Sequence, residues 1–207
     1  MITEGKQPEM KKLVIGITGG IASGKSEIRR ELESLGCLGI DADRIGHEVL
    51  EPESSVAEDV LRHFGSRILS DRNTGKIDRK KLGQIVFENP AELKWLESVT
   101  HQQIIRRINQ VIAGTDCSVA LEAIKLNDSG LSSLCDRKWL VETDPEIQTE
   151  RLMRKRGLSR EDAQIRIRMQ QNMDWHRNEM DHIFNGGIPL ADLKAEVRKV
   201  WYALQDH

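Results

Sequence analysis

Residues 19–26 read Gly-Gly-Ile-Ala-Ser-Gly-Lys-Ser, a G-x-x-x-x-G-K-[ST] stretch that follows the apolar run Leu13-Val14-Ile15-Gly16-Ile17 and opens a helical pattern. A strand, a glycine-rich turn and a helix in that order make a cradle for phosphate. A triphosphate must be ringed by backbone N–H groups, and glycine lets the chain come that close. Gly19 and Gly24 frame the loop, with Gly20, Ile21, Ala22 and Ser23 between them. Lys25 is placed to reach the β and γ phosphates and the Ser26 hydroxyl to hold Mg²⁺, while the helix N-terminus adds partial positive charge. The alternative is an ordinary glycine-rich turn, which the flanking strand and helix disfavour.

Working outward, short apolar segments at 13–17, 38–40, 119–121, 139–141 and 183–184 are separated by helical stretches, the alternation of a parallel sheet wrapped by helices. The fold class expected is α/β, with a five-stranded parallel sheet. Helices are predicted over 25–35, 56–64, 79–88 behind an N-cap at Asp78, 91–99, 102–113 and 193–204. The nucleotide-binding core should comprise 13–44 and 117–207. Between the second and third strands, 45–116 is helical in pattern and far longer than a crossover needs, so it is expected to be an insertion that binds a second substrate.

Inside the core, 150–172 carries Arg151, Arg154, Lys155, Arg156, Arg160, Arg166 and Arg168 around Gly157 in a helix–turn–helix pattern. It reads either as a solvated basic face or as a lid that brings arginines over the transferred phosphoryl group.

The second strand runs straight into Asp41-Ala42-Asp43. Ligands of open parallel sheets gather at the carboxyl ends of strands, so both carboxylates are candidates for the site. One would accept or orient a hydroxyl proton, with Asp43 favoured, and the other would help hold metal-bound water. Either aspartate also suits a helix N-cap. Glu122 ends the third strand where an acid could assist the metal, and a strand-end glutamate is also commonplace. His101 reads as a substrate contact or a surface imidazole.

The bulk numbers set limits. The chain has 207 residues, 31 basic and 33 acidic side chains and a net charge of −2, so nothing in its balance suggests nucleic acid or an anionic membrane. Cys37, Cys117 and Cys135 are odd in number and widely spaced, which argues against a disulfide framework or a zinc knuckle. The polar stretch 1–12 reads as a mobile lead-in, and no run approaches the ~18 apolar residues of a membrane span. A cytoplasmic protein with small-molecule partners, monomeric or a small homo-oligomer, is expected.

Taken together these residues resemble the dephospho-coenzyme A kinase family from Leu13 to about Trp201. The likeness is carried by the phosphate loop with its preceding Thr18, then Asp41-Ala42-Asp43 with Ile45 and Glu48, and Ile77-Asp78-Arg79, Leu82 and Val86-Phe87. It continues through Leu96-Glu97, His101, Gln148, Arg151-Leu152, Ala163, Arg166 and Gln170, and closes on Asp181, Ile183, Asn185 and Gly187.

The resemblance implies ATP-dependent phosphorylation of the ribose 3′-hydroxyl of dephospho-coenzyme A, with Mg²⁺. It places Asp43 as base, Lys25 and Arg151 beside it in catalysis, and Ser26 and Asp41 at the metal. Gly20, Ile21, Ala22, Ser23, Gly24, Lys25, Ser26, Glu27, Arg151, Lys155 and Asn185 would contact ATP. Thr18, Asp43, His101 and Lys125 would contact the acceptor. The insertion becomes the coenzyme-A-binding domain and the basic helical pair a lid.

Four features depart from the family pattern. Glu27 replaces a second hydroxyl residue, Gln102 a proline and Lys155 an arginine, and Ala123-Ile124-Lys125-Leu126-Asn127 replaces a largely apolar segment. Other readings are a phosphate-loop kinase for a nucleoside, nucleotide or sugar, and a coenzyme-A-binding relative without catalysis. A guanine-nucleotide switch would need Asn-Lys-x-Asp, which the sequence lacks.

Overall fold

The computed structural model describes residues 11–71, 74–170, 173 and 175–206. Most of the expected lead-in, 1–10, lies outside them, as do residues 171 and 172 at the end of the basic segment.

Five strands form one parallel sheet: β1 (Val14–Gly19), β2 (Leu38–Asp41), β3 (Val119–Glu122), β4 (Arg137–Glu142) and β5 (His182–Asn185), in the order β2-β3-β1-β4-β5. Each lies on a segment expected from the sequence. All six residues of β1 are buried, as a central strand covered on both faces requires. Its register sets Ile17 beside Glu122 of β3 on one side and Trp139 of β4 on the other.

On one face lie α1 (Lys25–Ser34) and α8 (Leu190–Gln205). Ile28 and Leu32 of α1, and Leu193, Val197 and Trp201 of α8, pack with Ile15, Ile17, Trp139 and Phe184 of the sheet. Each such side chain is worth roughly 1.5–3 kcal/mol when removed from water, so this face contributes strongly to the stability of the core. The two helices are also tied by charge. Glu31, 1% exposed, accepts from Arg198 Nε at 2.5 Å and meets Lys194 Nζ at 3.0 Å.

By contacts the chain divides into two compact units. One contains everything up to Ile40 and from Ile112 onward, and the other is Asp41–Val111. The second has its own core, in which Val56, Val60 and Phe64 of α3 (Ser55–Phe64) and Leu82 and Val86 of α4 (Arg79–Glu88) meet Ile68 and Ile77. Its helices start on side-chain caps. Asp41 accepts from the Arg44 N–H to begin α2 (Ala42–Glu48), Ser54 caps α3, and Asp78 takes the Lys80 and Lys81 N–H groups of α4.

One expectation is corrected. Residues 91–99 and 102–113 are not two helices but parts of one, α5 (Pro90–Ala113), 24 residues long. Proline occupies its first turn, where no N–H is needed. No glycine or proline interrupts it near Thr100, whose hydroxyl is satisfied within the helix by the Leu96 carbonyl at 2.7 Å. His101 therefore sits in mid-helix, not at a helix start.

The basic segment forms α6 (Pro145–Arg156) and α7 (Arg160–Arg168), joined at Gly157, whose left-handed φ of 63° ends α6. Leu152, Ala163 and Ile167 make a small core between them.

Candidate active site

The phosphate loop leaves the end of β1 and enters α1 through Gly24, whose φ of 117° is a conformation a side chain would strain. No side chain caps α1, so no protein oxygen from a cap offsets the partial positive charge of the helix N-terminus, which suits an anion. Ala22, at φ 56°, holds a left-handed conformation without being glycine. Backbone held this way concentrates at ligand clamps.

Lys25 is only 6% exposed and bends back over its own loop, donating to the Gly19 and Gly20 carbonyls at 2.9 Å each. Its ammonium is thereby held at the loop's interior. Ser26 donates its hydroxyl proton to Glu122 Oε1 at 2.8 Å, which leaves the oxygen's lone pairs facing elsewhere. Glu122 is buried, and its second oxygen accepts from Arg29 Nε at 2.9 Å. Arg29 in turn pairs with Glu33 one turn along α1.

These groups suit Mg²⁺. No cluster of three or more His, Cys, Asp or Glu side chains able to hold a metal occurs among the described residues. Mg²⁺ in nucleotide enzymes needs no such cage, because one or two protein oxygens join waters and phosphates around it.

Arg151 braces the loop from α6. One guanidinium nitrogen donates to the Ala22 and Ser23 carbonyls at 3.1 Å each, and the other to the Gly186 carbonyl at 2.6 Å. Burial and the neighbouring Arg154 both lower its pKa, and Glu27 opposes them. Thr143, just past β4, adds a hydroxyl bond to the Ser23 carbonyl at 2.7 Å. The turn after β5 comes so close that a methyl on Gly186 would collide with the Ser23 carbonyl. Asn185, at the end of β5, accepts from the Gly187 N–H and shapes that turn.

The remaining expected residues take varied positions. Thr18, buried at the end of β1, donates its hydroxyl proton to the Ile124 carbonyl at 2.9 Å. Lys125 lies exposed in the turns that follow β3. Lys155 reaches Glu27 at 3.3 Å. Partial burial alone would raise the Glu27 carboxyl, but Arg30 and Lys155 outweigh it and hold it below its ordinary value. Asp41, Asp43 and His101 belong to the second unit, where Asp41 is a cap and Asp43 stands in the first turn of α2. Burial pushes the Cys37 and Cys135 thiols up to about 12, so both are protonated at neutral pH.

A cavity of about 280 Å³ opens beside the loop, bounded by Gly20, Thr143, Gln148, Gln170 and Trp175 among others. Arg29 and Thr143 were not anticipated from the sequence. Gln148 and Gln170 were noted only for their spacing. No short motif marks any of them, since their partners are remote in the chain.

Residues 13–188 match the family model described as CoaE, dephospho-CoA kinase. Over 180 residues the chain is 40% identical to the dephospho-CoA kinase of Synechococcus sp. (strain CC9605), the alignment covering 86% of each protein. Among solved structures, TT1252 from Thermus thermophilus superposes with a TM-score of 0.79 at 29% identity, covering 93% of this chain and 98% of that one. The dephospho-CoA kinase from Campylobacter jejuni does so with a TM-score of 0.68 at 30% identity, covering 95% and 98%. With a phosphate loop at the centre of a five-stranded parallel sheet, and with relatives matching along most of its length, the chain belongs to the dephospho-CoA kinase family.

Proposed function

We propose that this protein transfers the γ-phosphoryl group of ATP to the ribose 3′-hydroxyl of dephospho-coenzyme A, yielding coenzyme A, the last step of that cofactor's synthesis. The observation that carries the reading is the loop itself, where Lys25, the uncapped α1 N-terminus and Ser26 converge, in a chain of this family.

Phosphoryl transfer makes few covalent demands on a protein, so catalysis is positioning and electrostatics. Lys25 lies where an ammonium opposes the charge on the β and γ phosphates, and the α1 amides supplement it. Mg²⁺, when bound, would supply charge neutralisation at the nucleotide phosphates. Ser26 would hold it, with Glu122 orienting the Ser26 hydroxyl and Asp41 assisting through water.

Asp43 is assigned to the acceptor hydroxyl, taking its proton or orienting it for in-line attack. What supports this is its place two residues past the carboxyl end of β2, the edge of the sheet at which the phosphate loop also leaves β1. His101 and Lys125 are assigned to the acceptor, and Lys155, Asn185 and Arg151 to the nucleotide. In Arg151 the bonds to Ala22, Ser23 and Gly186 support a role in keeping the loop in shape as well as in facing the nucleotide.

No helix among the described residues is long and apolar enough to cross a membrane. We place the enzyme in the cytoplasm, in keeping with its unpaired cysteines. Coupled measurement of ADP release tests the function. Release should require dephospho-coenzyme A, and a nucleoside or sugar that replaced it as the better acceptor would overturn the assignment.

A further inference from the structure

The rim of the phosphate loop is gripped at one residue from both sides. Gln170, two residues past α7, accepts from the Ile21 N–H through Oε1 at 2.7 Å. Gln148, on α6, donates from Nε2 to the Ile21 carbonyl at 2.8 Å. The Ile21 and Ala22 side chains pack against the Leu152, Ala163 and Ile167 core of the helical pair. Backbone and side chain are thus held by α6, α7 and the residues that follow α7.

The grip matters because of what lies at the other end of each peptide. In a trans peptide the carbonyl and the N–H point in opposite directions. Gln170 draws the Ile21 N–H outward, so the Gly20 carbonyl of that peptide faces inward, where it accepts from Lys25 Nζ at 2.9 Å. Gln148 draws the Ile21 carbonyl outward, so the Ala22 N–H of the next peptide faces the loop. Arg151, one turn further along α6, does the same to the Ala22 and Ser23 carbonyls. The carbonyls of Ile21, Ala22 and Ser23 are thus turned toward α6. Of their partner amides, that of Ser23 closes a turn onto the Gly20 carbonyl at 3.2 Å, and those of Ala22 and Gly24 are directed away from α6, as in a backbone anion nest.

We propose that Gln170 and Gln148 are positioning residues with opposite hydrogen-bonding duties. Gln170 sets the peptide that seats Lys25, and Gln148 sets the peptide whose N–H faces the phosphates. Neither touches the reacting atoms. The proposal rests on the loop's being the ATP site, and ATP affinity measured without any acceptor keeps its test independent of which acceptor is phosphorylated.

Two variants separate the duties. Gln170→Met and Gln148→Met preserve side-chain length and remove the bond, leaving a part-buried main-chain group unpaired, and each should weaken Mg·ATP binding about 10-fold. The KM for dephospho-coenzyme A should stay within about two-fold. In a Lys25→Ala background Gln170→Met should add nothing further, because it acts through Lys25, whereas Gln148→Met should keep its full effect. Equal losses from Gln170→Met in both backgrounds, or Mg·ATP affinity within two-fold of the unmodified protein in a folded single variant, would overturn the proposal. The unmodified protein supplies a check that no folding failure can cloud. The Ile21 amide should exchange slowly with solvent by NMR, and exchange at an open-loop rate would also overturn it.

Discussion

Asp41 and Asp43 are separated by one residue, yet they do different work. Asp41 takes the Arg44 N–H and starts α2, so the capping duty that either could have filled belongs to it. Asp43, in the first turn, is favoured there by the helix dipole but is not needed as the cap. Asp43→Asn keeps the shape and removes the basic oxygen. Turnover should fall ~10²- to 10⁴-fold, the range of general acid–base catalysis, with ATP affinity unchanged. Steady-state rates at saturating ATP and dephospho-coenzyme A decide the matter, and a value within a few-fold of the unmodified enzyme would shift the role to Asp41. The residues legible in the sequence were those whose chemistry is local. Gly24, Lys25 and Ser26 declare themselves by spacing alone. Arg29, Thr143, Gln148 and Gln170 meet their partners at separations of 93, 120, 127 and 149 residues, which no local pattern encodes.

At the scale of elements, the five strands and the cap of α4 were readable because apolar runs and an Asp before a helical pattern are short-range signals. The continuity of α5 was not. A β-branched pair and a histidine at 99–101 weaken the helical signal, and the helix persists because Thr100 and Ile108 are buried and the Thr100 hydroxyl is satisfied internally. The α6–α7 pair carries a dynamic prediction. Gln148 and Arg151 tie α6 to the loop and Gln170 ties the chain just past α7 to it, whereas the outer face of α7 bears exposed Arg160, Ile165 and Arg168. Binding of a non-hydrolysable ATP analogue should therefore slow amide hydrogen exchange chiefly over α7, where arginines approach phosphate. Equal exchange with and without the analogue would leave α7 a solvated basic face and nothing more.

The molecule as a whole depends on a pairing between helices far apart in sequence. Burial by itself would raise the Glu31 carboxyl, but Arg198 and Lys194 of α8 prevail and its pKa is lowered. A carboxyl lowered on folding contributes stability above its unfolded value of about 4.3 and loses it as pH falls through the folded value. Glu31→Gln should therefore lower the urea midpoint at neutral pH and flatten the further loss as pH falls below the ordinary carboxyl value of about 4.3. Parallel acid titrations of the two proteins would show it, and identical curves would remove this pair from the stability of the fold.

The same pairing has a consequence for how the chain is made. Glu31 and Arg198 are 167 residues apart, and the ribosome delivers α1 long before α8. Until α8 emerges, Ile15, Ile17, Ile28 and Trp139 lack the cover of Val197 and Trp201, and Glu31 has neither of its cations. The Asp41–Val111 unit, one unbroken stretch with its own apolar centre, is translated entirely within that interval. The nascent polypeptide thus displays the phosphate-loop residues early but gains the packed support beneath them only when α8 has been translated, which makes nucleotide a ligand of the completed core.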